Sequence, residues 1–125
     1  MNIIISNSSS EPIYEQIKKA IKQAIYTNEL KEEEILPSVR ALANDLKISF
    51  LTVKKAYDEL EAEGFIKTVQ GKGSYVLPKN LELLREEKLK EIEKNISTVV
   101  KLSKIYGIIE EEVVNLIKIM FEEDL

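Results

Sequence analysis

The sequence predicts a mainly α fold with a small β-hairpin: a winged helix-turn-helix over residues 1–78, followed by a two-helix C-terminal region over residues 79–125. Three observations predict it. Two short amphipathic segments are separated only by Lys47, Ile48 and Ser49. The second runs directly into two β-prone stretches split by Gln70-Gly71-Lys72-Gly73, and beyond Pro78 the apolar pattern changes to long helical periodicity. At 125 residues the chain can hold one ordinary core, or a small core with an appendage, but not two full-sized domains.

Taken in order, Ser6 to Ser10 form a polar lead-in of capping side chains, and Pro12 suits a first helical turn, so a helix is expected from near residue 11. Ile13, Ile17, Ala20, Ile21, Ala24 and Ile25 recur every three or four residues as one apolar stripe, with Lys18, Lys19, Lys22 and Gln23 largely off it; the helix should end near Asn28. An acidic loop over residues 31–34 leads to Pro37. Ser38 is then placed to cap a helix carrying Val39, Leu42, Ala43 and Leu46, and Ser49 to cap the next, whose inward stripe is Val53, Ala56, Tyr57 and Leu60. Gly64 is positioned to stop that helix. Phe65 to Val69 and Ser74 to Leu77 supply the strands of a hairpin. Asn80 can cap a long helix whose seam is Leu89, Ile92, Ile96, Val99, Ser103 and Tyr106. Gly107 breaks it, and a last helix opens with Glu110 to Glu112, where negative charge suits the helix dipole, and is expected to bury Ile109, Val113, Leu116, Ile117 and Met120.

Composition excludes several functions. With no cysteine and no histidine, disulfides, thiolate chemistry, zinc sites of the usual kind and the commonest general base are absent, so neither an enzyme nor a metal or cofactor is expected. No apolar run reaches the length of a membrane span, and Asn2-Ile3-Ile4-Ile5 is too short for a signal peptide, which reads as a cytoplasmic protein without membrane partners. The net charge of -4 stands against nucleic acid, but its distribution does not. Lys67, Lys72 and Lys79 lie in a stretch without acids, as do Lys54 and Lys55, whereas acids gather at 32–34, 58–63, 110–112 and 122–124.

The outward face of the second helix of the pair offers Leu51, Thr52, Lys54, Lys55 and Asp58. Thr52 can bond a phosphate or a base edge, the lysines can reach phosphates or guanine acceptors, and Leu51 can lie on a thymine methyl. In this light four segments resemble the GntR family of bacterial regulators: Pro12-Ile13-Tyr14-Glu15-Gln16-Ile17, Leu36-Pro37-Ser38-Val39-Arg40-Ala41-Leu42-Ala43, Thr52 through Ile66, and Gly71-Lys72-Gly73-Ser74-Tyr75-Val76.

The resemblance implies a DNA-binding regulator in which Arg40 touches DNA, Ser38 contacts a phosphate beside it, Thr52, Lys54 and Lys55 serve the recognition helix, and Gly71 and Lys72 serve the wing tip; Ser49, at the start of that helix, and Gln70, beside the tip, are counted with them as DNA-binding residues. Two departures stand out: Phe50 and Leu51 where many members carry an arginine, and Glu32-Glu33 in place of a frequent Pro-Gly. The short tail resembles the family's YtrA-like branch, in which appended helices dimerise; here Leu89, Ile92, Ile96, Val99, Val113, Leu116, Ile117 and Met120 would form that interface. The expectation is a homodimeric repressor on double-stranded, inverted-repeat operator DNA, with a neighbouring transporter operon among its targets. A winged-helix protein-interaction module is the main rival and an enzyme the third reading. No residue points to an effector of any chemical class.

Overall fold

A computed structural model describes residues 2–78 and 81–123. Its elements are α1 (Ile13–Tyr26), α2 (Val39–Leu46), α3 (Phe50–Ala62), β1 (Ile66–Val69), β2 (Gly73–Val76), α4 (Leu81–Ile105) and α5 (Glu110–Glu122). They divide into two compact units, Met1–Asn80 and Leu81–Leu125.

In the first unit α1 and α2 both pack on α3. Ile17 and Ile21 of α1 and Val53, Ala56 and Leu60 of α3 are completely buried, and Leu42 and Ala43 of α2 nearly so. Each such isoleucine, leucine or valine side chain contributes roughly 1.5–3 kcal/mol over leaving it in water. The helix ends follow local chemistry. α1 begins at Ile13 rather than near residue 11, because Pro12 is the extended N-cap (ψ 148°) and its carbonyl accepts from Glu15 and Gln16. It ends where Asn28 takes a left-handed backbone (φ 65°) and Leu30 N donates to Ala24 O. Ser38 Oγ accepts from Ala41 N and Ser49 Oγ from Leu51 N, so both expected caps form. Lys47, also left-handed (φ 56°), makes the tight turn between α2 and α3. Gly64 (φ 85°) closes α3, with Phe65 N donating to Leu60 O.

The wing is an antiparallel pair running from Ile66↔Val76 to Val69↔Gly73. Phe65 and Leu77, expected in the strands, lie just beyond them, joined by a bond from Leu77 N to Phe65 O. The acidic loop is more structured than its sequence suggests. Glu33 N donates to Val76 O, Val76 N to Glu34 O and Leu36 N to Ser74 O, and Ile35 bridges Tyr75, so this segment lines the free edge of β2. Three consecutive acids carry no strand signal; the pairing comes from the unsatisfied edge of β2.

A second correction concerns α1. Lys18 and Lys22, read as lying off the apolar stripe, are buried. Their stems run along the α1–α3 contact while Lys18 Nζ reaches Glu59 and Glu63, and Lys22 Nζ reaches Glu63.

In the second unit α4 ends at Ile105 and the chain turns at Gly107 (φ 68°), with Ile108 N bonded to Ser103 O, and α5 follows with Glu110, Glu111 and Glu112 in its first turn. Asn80, the expected cap of α4, lies outside the described residues, as does Lys79 of the basic wing stretch. The apolar residues expected to be buried by the last helix are left uncovered by a single chain: Val113 is half-buried, and Ile109, Leu116, Ile117 and Met120 are exposed. Leu89, Ile92, Ile96 and Val99 of α4 are exposed as well. Two helices alone have too little surface to enclose their own apolar faces. No helix among the described residues is long and apolar enough to cross a membrane.

Candidate nucleic-acid interface

The buried stripe Val53, Ala56, Tyr57 and Leu60 fixes which face of α3 is outward. At about 100° per residue, Leu51, Lys55 and Asp58 fall opposite that stripe, with Lys54 to one side and Thr52 to the other. Leu51 is exposed and Thr52 half-buried. The first turn of α3 contains no acid, and its unpaired backbone N–H groups make that end a favourable place for negative charge.

Each basic residue predicted on the helix pair already has a partner. Lys54 Nζ is 2.8 Å from Asp58 Oδ2, an exposed i,i+4 pair, worth only about 0.2–0.5 kcal/mol and easily exchanged for a phosphate. Lys55 Nζ stands 4.2 Å from the centre of the Tyr14 ring on α1. The Arg40 guanidinium, in the first turn of α2, lies over the Phe50 ring at 5.4 Å. These aromatic partners hold the cations without neutralising them, so they remain available to an anion. Ser38 and Ser49 are exposed at the N-termini of α2 and α3, their hydroxyl oxygens occupied as caps. Gln70, Gly71 and Lys72 come together, all exposed, at the hairpin tip, where Lys72 N donates to Val69 O. Gly71 sits there at φ 81°, which glycine adopts without strain.

Three residues were not recognised as part of this surface. Tyr14 reads in sequence as one more member of α1, and only the α1–α3 packing brings it to Lys55. Phe50 reads as a departure rather than as the seat of Arg40. Tyr57 reads as core, which it is, yet its hydroxyl also donates to Pro37 O at 2.7 Å and ties α3 to the segment leading into α2. Burial pushes the Tyr57 phenol pKa above its usual range. Behind α3, burial alone would lower the Lys18 pKa, but hydrogen bonds to Glu59 and Glu63 outweigh it and raise it. Burial would likewise raise the Glu63 pKa, but hydrogen bonds from Lys18 and Lys22 win and lower it.

A helix pair with an exposed, acid-free leading turn on its second helix, followed by a hairpin with a basic tip, defines a winged helix-turn-helix DNA-binding protein. The chain belongs to the GntR family: the family's sequence model, described as bacterial regulatory proteins, gntR family, matches residues 13–76. It is similar to the HTH-type transcriptional repressor YtrA of Bacillus subtilis, 39% identical over 98 residues that make up 78% of this chain and 75% of that one. A GntR family transcriptional regulator from Listeria monocytogenes superposes with a TM-score of 0.73 at 32% identity, covering 89% of this chain and 96% of that structure. The AraR DNA-binding domain, solved in complex with operator ORX1, matches 61% of this chain and 95% of its own at a TM-score of 0.54 and 25% identity. The family and these relatives are transcription regulators, not enzymes.

Proposed function

We propose that this chain is a cytoplasmic repressor that binds an inverted-repeat operator as a homodimer, each α3 entering a major groove and each hairpin tip an adjacent minor groove. Residues 1–78 are then the DNA-binding domain and 79–125 the dimerisation domain. The observation that carries this reading is the outer face of α3: exposed, acid-free in its first turn, with Arg40 and Lys55 held on aromatic rings rather than in salt bridges. Ser38, Arg40, Ser49, Thr52, Lys54 and Lys55 would meet one groove and its phosphates, and Gln70, Gly71 and Lys72 the next. Two relatives support the direction: YtrA is a repressor, and the AraR domain was solved on operator DNA.

Homodimerisation is supported by the exposed apolar residues of α4 and α5, which a second copy would cover; Leu89, Ile92, Ile96, Val99, Val113, Leu116, Ile117 and Met120 are its proposed contacts. A transporter operon is proposed among the targets by likeness to the YtrA branch. The test is salt-dependent binding of the full chain to its own promoter region. Arg40→Ala combined with Lys54→Ala should weaken binding and reduce the salt slope by about one per lost phosphate contact. Binding that is absent, or indifferent to both substitutions, overturns the proposal. Genome-wide mapping of the protected DNA tests the inverted repeat and the operon together.

A further inference from the structure

Leu51 is the foremost side chain of α3. It lies in the first turn, about 160° around the helix from the core residue Val53, and 71% of it is exposed. Three cations of the helix pair are engaged by neighbours other than Leu51: Arg40 by the Phe50 ring, Lys54 by Asp58, Lys55 by Tyr14. Phe50 beside it is 42% exposed, with the Arg40 guanidinium over its ring. An isolated exposed leucine needs no explanation, since much of any protein surface is apolar. Here, however, two exposed apolar side chains occupy the leading turn of the helix that the proposed function inserts into the major groove, and they offer no hydrogen bond to any base. In that groove the one apolar feature of base edges is the C5-methyl group of thymine.

We infer that Leu51 reads pyrimidine C5-methyl groups, so that operator recognition depends on the thymine methyl itself and not only on hydrogen-bonding edges; Phe50 is a positioning residue that holds Arg40 beside it. The inference rests on the proposed DNA-binding role. Burying one methyl is worth a factor of roughly four in affinity. The two half-sites of a symmetric dimer would multiply that to roughly fifteen-fold.

The experiment uses the full chain and duplexes that it selects from a random pool, remade with uracil in place of every thymine. This removes only the methyl groups and keeps base pairing. The wild type should bind the uracil duplexes at least four-fold more weakly, Leu51→Ala should bind both forms alike, and Leu51→Met should restore discrimination. Lys72→Ala, at the wing, should weaken both forms by the same factor. Equal binding of both forms by the wild type, or an unchanged ratio in Leu51→Ala, overturns the inference while leaving DNA binding intact. Failure to select any duplex overturns the DNA-binding proposal and this inference with it.

Discussion

Replacing Lys18 by methionine keeps the length and apolar stem of the side chain and removes only its ammonium group. In the native protein that group stands 2.8 Å from Glu59, 2.7 Å from Glu63 and 3.7 Å from Glu15, on a side chain that is 9% exposed. Removing one partner of a fully buried ion pair costs about 3–5 kcal/mol. Here the carboxylates retain 36% and 37% exposure, and water can take over much of the lost interaction, so the expected cost is about 1–2 kcal/mol. Urea unfolding at fixed protomer concentration should show it as a lower midpoint with an unchanged slope. The pH dependence has a definite sign. The lowered folded pKa of Glu63 gives stability that is present above its unfolded value and lost as pH falls through the folded one. The raised pKa of Lys18 gives stability that is present below its unfolded value and lost only as pH rises beyond it. The gap between wild type and variant should therefore be flat from about pH 5 to 10 and shrink in acid. A variant as stable as the wild type at neutral pH, or a gap unchanged down to about pH 3, would refute the reasoning.

Glu33 holds a left-handed backbone (φ 67°) while its N–H donates to Val76 O; Glu33→Gly relieves the strain, keeps the bond and should stabilise by about 0.5–1 kcal/mol. An unchanged or lower Tm would count against that account. Tyr57→Phe leaves Pro37 O without its 2.7 Å donor and should cost about 1–2 kcal/mol at neutral pH. Because burial raises the Tyr57 pKa, the wild type should also lose stability above about pH 10, a loss that the phenylalanine variant lacks in alkaline urea titrations. Ile96→Glu combined with Ile117→Glu should convert the proposed dimer to a monomer of unchanged helix content; sedimentation that still finds a dimer would move the interface elsewhere.

The helical pairing was legible because its signals are local. Apolar spacing at three and four residues located the stripes of α1, α2 and α3, the two serines marked the starts of α2 and α3, and Gly64 and Gly71 sit at positive φ as a helix stop and a turn require. What stayed hidden depends on partners distant in sequence. The strand-like pairing of residues 33–36 exists because β2 has a free edge, and nothing in Lys31-Glu32-Glu33-Glu34 announces it. Lys18 lies 41 residues from Glu59, as Lys22 does from Glu63, so periodicity could place these lysines beside the stripe but could not find their partners. Arg40 over Phe50 and Lys55 over Tyr14 were hidden for the same reason.

The run from Asp58 to Glu63 is the strongest objection that the sequence raises against a DNA-facing α3, and the structure answers it through its partners. Asp58 pairs with Lys54, Glu59 with Lys18, Glu61 accepts from Thr68 N of the wing, and Glu63 pairs with Lys18 and Lys22. Each carboxylate in the run therefore neutralises a lysine or receives a hydrogen bond inside the first unit. Distance completes the argument. At about 1.5 Å of rise per residue, Glu59 lies about 12 Å and Glu63 about 18 Å along the axis from Leu51. Both exceed the roughly 8 Å over which exposed charges act at physiological salt. Glu59, Glu61 and Glu63 thus secure α1 and the wing to α3, while the end of α3 that would meet phosphates answers mainly to Arg40, Lys54 and Lys55.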